Sequence, residues 1–490
     1  MCNNMKYFKI LVILTLSLST SSCKKYLDVK KSSGQILIET ANDCQLLLND
    51  YKSMNVGYPS DGESSSDDYY LTDANLLAMN TEDAEVLTWK SGSIRSVANP
   101  QWQFPYKVVY LSNLVLETLD KIKEQTEPLL FKDLRGQALF FRAFSFWQVA
   151  QLYSKPYTAA TAAGSPGIPL RLSSDINGVS LRGSLEETYL RILNDLREAK
   201  DILSSSQVVA SRPNKAAALA MLSRVCLSME NYNDALTYAT EALELNKQLM
   251  DFNSLSTSSA TPIARFNIEV IFHSVMTPAA MLVPGSAPNN IAKITDDLYA
   301  SYNSNDLRKV VFFKENTQSV QLRNAAGGLV TVTIPNGTYR FSGNYESVTN
   351  AALFNGLAVD ELYLTRAECY ARNGNPNAAM ADLNALLITR WKSGTYNPRT
   401  AINASDALSQ ILIERRKELV MRGLRWVDGR RLKVGFTRQI KSINYSGTTT
   451  APIRDLSISN SYALSANDLR FTLLIPNDVI QTSSIEQNLR

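Results

Sequence analysis

From Asn214 to Leu245 the chain reads NKAAALAMLSRVCLSMENYNDALTYATEALEL, and this stretch restricts the fold more than any other. Ala218, Ser223, Ala235 and Ala242 are interleaved with Leu219, Leu222, Leu227, Tyr232 and Leu236 at three- and four-residue spacing. That spacing predicts two helices, and the small side chains let them approach closely. Asn231 and Asn233 mark the turn between them. One such pair cannot bury its own apolar face, so further pairs are required.

Leu357 to Leu387 repeats the pattern, with Ala367, Tyr370, Gly374, Ala379 and Leu383 in matching places. A third pair is split: Leu134 to Tyr153 reads as its first helix and Ser184 to Leu203 as its second, started by a Ser184/Glu187 capping box. Between these halves lies a segment too rich in Pro, Gly and Ser for a helix. The order of large and small residues at Leu222, Ser223, Ala235 and Ala242 resembles a tetratricopeptide repeat, although Cys226 takes a usual aromatic position. The expected fold is therefore all-α: tetratricopeptide-like repeats with long loop insertions and minor β-structure.

A composition of 45% apolar and 20% charged residues is that of a globular chain. Its formal charge of +4 falls to +2 if Lys6 and Lys9 are removed with a leader, which argues against nucleic acid as a partner. The cysteines, Cys2, Cys23, Cys44, Cys226 and Cys369, are too dispersed for a disulfide framework, and Cys226 and Cys369 read as small buried hydrophobes. His273, the only histidine, lies in the apolar run EVIFHSVM and reads as structural. There is no Walker loop, Gly-x-Ser-x-Gly elbow or Cys-x-x-Cys pair, so catalysis is not indicated and no cofactor is expected.

At the N-terminus, Lys6 and Lys9 precede ILVILTLSL, far short of the roughly twenty residues that span a bilayer. The run ends in STSSC, similar to the lipobox of bacterial lipoproteins, with Thr20 where that motif prefers Leu. Residues 1–22 are thus expected to be a signal peptide and Cys23 the lipidated N-terminus. Several acyl chains on one cysteine anchor stably where a single chain does not. Cys-Lys-Lys-Tyr-Leu-Asp-Val-Lys at 23–30 resembles the start of mature SusD/RagB proteins. Three further stretches agree: Trp102 to Ile122, the helix containing Arg142-Ala143-Phe144, and ERRKELVMRGLRWVDGRR at 414–431, where Gly429 replaces a customary Leu. LLIPNDVIQ at 473–481 is similar to the family's final segment, without its closing residues.

This resemblance implies a surface lipoprotein of the outer membrane, facing the cell exterior, that captures a nutrient and delivers it to a SusC-like TonB-dependent transporter. Residues 23–490 would form one domain, with an N-terminal part to about 250 and a C-terminal part from about 251. An oligosaccharide is the first expectation for the ligand. A peptide, a glycoside hydrolase with two carboxylates roughly 5 to 9.5 Å apart, and a protein-docking scaffold are the alternatives.

Family proteins carry the ligand on loops inserted around the repeats, and two regions qualify: Val56 to Pro105 and Met276 to Asn350. Aromatic rings stack on sugar faces while short polar side chains reach hydroxyls. The ligand residues expected on this basis are Asp68, Tyr69, Trp89, Tyr299, Tyr302 and Tyr345. Trp102, at helical spacing with Tyr106 and Val109, is assigned to packing. The Asp67-Asp68 pair lacks calcium-loop spacing and reads as a solvated loop or helix cap. In the 414–431 stretch, Arg415 projects from an apolar helix face, and Glu361 and Glu368 are its expected partners in a structural ion pair.

Overall fold

Most of the repeat helices begin where the sequence supplies a side chain to cap them. The structure, a computed structural model, describes residues 38–97, 100–179, 181–206, 208–279, 281–282, 290–346 and 352–490. The expected signal peptide and Cys23 lie outside the described residues. Nine helices are labelled: α1 (Pro100–Lys121), α2 (Pro128–Tyr153), α3 (Leu185–Ile202), α4 (Lys215–Ser228), α5 (Tyr232–Leu245), α6 (Val359–Arg372), α7 (Pro376–Ile388), α8 (Ala404–Glu418) and α9 (Arg425–Leu432). Ser184 and Glu187 make the reciprocal capping box of α3. Asn214, Asn231, Asn375 and Asn403 each accept a backbone N–H at the start of α4, α5, α7 and α8. None of the described helices is long and apolar enough to cross a membrane.

From α1 to α7 each helix packs on its predecessor, and α8 joins α6 and α7. The small residues act as expected: Ala218, Ala235 and Ala242 are fully buried, and Ser223 Oγ donates to the Ala235 carbonyl across the α4/α5 contact at 3.0 Å. Arg142 on α2 binds Asp195 on α3 at 2.8 Å and Asn113 on α1 at 2.9 Å, tying three helices together. The thiols of Cys44, Cys226 and Cys369 are buried, which pushes them up to about 11, 12 and 12.

The two repeat turns differ in one informative residue. Gly374 has φ +76° before Asn375, and Glu230 has φ +59° before Asn231. A left-handed conformation costs a side-chain-bearing residue about 1–2 kcal/mol, part of which glycine returns as entropy lost on folding. Exposed Glu230→Gly is therefore expected to stabilise the protein by about 0.5–1 kcal/mol in urea denaturation. A lower midpoint would show that the Glu230 side chain stabilises this turn.

The all-α expectation is overturned by the strands. β1 (Tyr69–Thr72), β2 (Lys293–Ile294), β3 (Phe313–Arg323), β4 (Leu329–Phe341), β5 (Phe436–Thr448) and β6 (Ala451–Leu464) form one six-stranded sheet. β3/β4 and β5/β6 are antiparallel hairpins with strands of 11, 13, 13 and 14 residues. The order is β2-β1-β5-β3-β4, with β6 on the remaining edge of β5. Thr, Ile and Val recur along these strands and favour extended chain; Gly327, at positive φ, lies in the turn of the first hairpin, and Thr449 and Thr450 make the turn of the second. The hairpin bases rest on a core that includes Phe252, Phe312, Phe313, Phe341, Tyr345 and Ile440.

Candidate functional site: a cleft between two hairpins

The sheet parts along one edge of β5. Ile440 and Lys441 pair in parallel with Leu71 and Thr72 of β1, and Thr448 pairs with Arg323 of β3. Between those points, residues 442–447 have no partner strand on that edge among the described residues. A cleft of about 610 Å3 fills the gap, a volume typical of small-molecule sites. The hairpins meet again at their tips, where the Thr449 N–H donates to the Arg323 carbonyl at 3.1 Å. Arg454 of β6 also donates to the Asn336 carbonyl of β4. Gly337 adopts φ +63° there, a left-handed conformation that favours glycine.

Five segments, distant in sequence, line this cleft. β5 contributes Lys441, Ser442, Ile443 and Tyr445, and β3 and β4 contribute Gln318, Val320 and Asn336. The end of β1 and the helical turn after it provide Asp73 and Asn75. Asp73 accepts hydrogen bonds from Ser442 Oγ at 2.8 Å and Ser459 Oγ at 2.5 Å. Lys293 Nζ donates to Asn75 Oδ1 at 3.2 Å and to the Asn290 carbonyl at 2.8 Å, and burial pushes it down to about 8. Lys441 Nζ is held by Asp296 at 2.7 Å and lies 4.3 Å from the Tyr70 ring centre. Amide, hydroxyl, carboxylate and ammonium groups around one tyrosine and a few aliphatic side chains can satisfy a ligand with many hydroxyls and apolar faces.

The residues expected to bind ligand do not line this cleft. Asp68, 1% exposed, accepts from Arg416 Nε at 2.7 Å. Tyr69 is buried beneath the Arg438 guanidinium, 4.0 Å from its ring centre, and its hydroxyl donates to the Ser64 carbonyl. Trp89 is buried and donates to the Ser65 carbonyl at 3.0 Å. Tyr302 and Tyr345, also buried, donate to the Lys417 carbonyl at 2.7 Å and to Glu269 at 2.6 Å. Tyr299 is partly exposed but stacks on Tyr339 with ring centres 3.6 Å apart. The physical reason is common to the set: each ring or carboxylate has internal partners, and five of the six are buried. Trp102, assigned to packing, is buried against Tyr106 and Tyr153 with ring centres 5.1 Å away in both cases. His273 is buried with its Nδ1 3.0 Å from the Tyr51 hydroxyl, and burial pushes it down to about 3.

The ion pair expected at Arg415 also changes partners. Arg415 Nε binds Asp428 at 2.9 Å, whereas Glu361 is taken by Arg224 at 2.6 Å and Glu368 by Arg431 at 2.6 Å. Asp428 follows one turn into α9, so the short α8–α9 corner brings it closer to Arg415 than either glutamate of α6. Asp67 is the partner of Arg425, at 2.6 Å, in place of the expected solvated loop. Gly429 explains the departure from Leu: a Cβ there would collide with the Phe436 ring.

The lining of the cleft left a faint signal in the sequence. FTRQIKSINYSGT at 436–448 alternates in the manner of a strand, but nothing local brings it beside Asp73 and Lys293.

Comparison with known proteins places the chain. Residues 25–227 match the protein family described as "Starch-binding associating with outer membrane", and residues 358–485 match the SusD family. SusD-like protein P2 from Formosa agariphila is 23% identical over 394 residues, covering 72% of this chain and 75% of that protein. A SusD superfamily protein from Bacteroides thetaiotaomicron is similar in structure, with a TM-score of 0.70 at 21% identity over 92% of this chain and all of that one. A laminarin-binding SusD-like protein superposes with a TM-score of 0.63 at 17% identity, covering 91% of this chain and 98% of its own. With both family segments matched and the 414–431 signature built into its buried ion pairs, the chain belongs to the SusD/RagB family.

Proposed function

We propose that this protein captures an oligosaccharide in the cleft between its two hairpins. The observation that carries the reading is the lining itself, where Asp73, Asn75, Asn336, Ser442 and Lys293 surround Tyr445 in a volume of about 610 Å3. A family described as starch-binding and a structural neighbour that binds laminarin support a sugar over other ligands. Binding without turnover fits the wall of the cleft, because Asp73 is its one carboxylate among the described residues and glycoside hydrolysis ordinarily uses two. The captured sugar passes to a SusC-like TonB-dependent transporter, with the protein held at the outer membrane by lipid on Cys23. That part of the reading rests on the family and on the STSSC motif.

Ser442→Trp places an indole in the cleft while leaving the helical repeats untouched. A loss of oligosaccharide affinity of at least roughly tenfold, about 1.4 kcal/mol, is expected in calorimetric titration. Unchanged affinity in a folded variant would move the site elsewhere.

A further inference from the structure

Of the three buried lysines among the described residues, Lys417 faces Glu414 and Asp306 at 2.9 and 3.3 Å, and Lys441 faces Asp296 at 2.7 Å. Lys293 has no carboxylate within 4.0 Å among the described residues, and outside those residues the sequence holds a single acidic residue, Asp28. Its ammonium is surrounded by neutral dipoles: Asn75 Oδ1 at 3.2 Å and the carbonyls of Asn290 and Ile291 at 2.8 and 3.4 Å. Burial without a counter-charge is costly for an ammonium group, which is why the fold holds it below its usual range. Arg438 is likewise without a carboxylate, but backbone carbonyls of Leu87, Tyr69, Ser64 and Ser66 engage its guanidinium in the core. Lys293 instead forms part of the wall of the cleft.

We propose that the oligosaccharide taken by this cleft is acidic, bearing a uronate carboxylate or a sulfate ester whose anionic oxygens pair with Lys293. This deepens the capture reading and rests on it. Asp73, on the same helical turn as Asn75, bears on the direction of the ligand. Asp73 repels an anion and, with Ser442 and Ser459 around it, suits sugar hydroxyls. The acid group is therefore drawn to the Asn75, Asn290 and Lys293 side. Exchanging the weak 3.4 Å bond to the Ile291 carbonyl for a charged acceptor gives the ammonium its missing counter-charge.

The test is calorimetric titration of the purified protein with neutral, uronate-bearing and sulfated oligosaccharides of equal length, repeated with Lys293→Met and Lys293→Arg. Either or both acidic classes should bind roughly tenfold to hundredfold more tightly than the neutral one. The two acidic arms identify which anionic group is used. Lys293→Met should erase the difference between acidic and neutral ligands and raise the melting temperature, because it removes an uncompensated buried charge. Lys293→Arg should retain the preference. Equal affinity for neutral and acidic ligands would overturn the inference while leaving the capture reading intact. A preference for acidic ligands that persists in folded Lys293→Met would also overturn it, by placing the anion on another group. Silence towards every class would overturn the inference and the capture reading together.

Discussion

Arg308→Met is expected to destabilise the protein by about 3–5 kcal/mol, because it removes one partner from a buried charge cluster. The Arg308 side chain is fully buried, with Asp306 at 2.7 Å, Glu414 at 2.5 Å and Glu418 at 3.0 Å from its guanidinium. Lys417 and Arg399 remain beside Glu414, and Arg390 beside Glu418, so the network is weakened rather than emptied. Methionine fills the volume and leaves the carboxylates under-compensated. The same substitution should change acid stability. Burial alone would raise the Glu414 carboxyl, but Arg308, Lys417 and Arg399 outweigh it and bring it down to about 2. A depressed folded value contributes stability above the unfolded value of about 4.3 and loses it as pH falls towards 2. Arg308→Met should therefore lose most at neutral pH and least near pH 2. Denaturation midpoints within 1 kcal/mol of wild type at pH 7 would show that the cluster does not hold α8 in place.

Glu63→Gln is expected to act with the opposite sign. Glu63 is buried, which is the main reason its carboxyl is pushed up to about 7, and Asp68 adds repulsion. Its Oε2 accepts the Gly423 N–H at 2.8 Å, and its Oε1 accepts from Ser66 Oγ at 2.9 Å. A raised folded value contributes stability below about 4.3 and loses it as pH climbs through 7. A neutral amide of the same shape keeps the Gly423 bond, and the Ser66 hydroxyl can rotate to accept. The variant should gain about 3 kcal/mol at pH 8 and almost nothing at pH 4. Denaturant titration at the two pH values checks this; a gain of equal size at both would assign the effect to packing.

Local signals in the sequence translated directly into structure. Asn214, Asn231, Asn375 and Ser184 cap helices because a cap needs only its own three or four neighbours. The 414–431 signature marked a real feature, although Arg415 turned to Asp428 instead of Glu361 or Glu368. The hairpins were harder to read. Arg438 and Lys441 interrupt the apolar alternation of β5, and their burial is made possible by carbonyls of residues 64–69 and 87 and by Asp296, from 145 to 374 positions earlier. Nor could composition show which aromatics line the cleft. Tyr302 and Tyr345 are as polar-tipped as Tyr445, but the first two spend their hydroxyls on Lys417 and Glu269 in the core. The cleft exists only where Thr72 to Asn75, Lys293 and Ser442 converge, a long-range property of the sheet.

The most direct measurement is titration of the purified protein with panels of oligosaccharides and peptides, for wild type and Ser442→Trp, followed by chromatography of the mixtures. Saturable binding of a sugar recovered intact, lost in Ser442→Trp, is the expected result. Binding that survives the blocked cleft, a peptide in place of a sugar, or a cleaved ligand would contradict it.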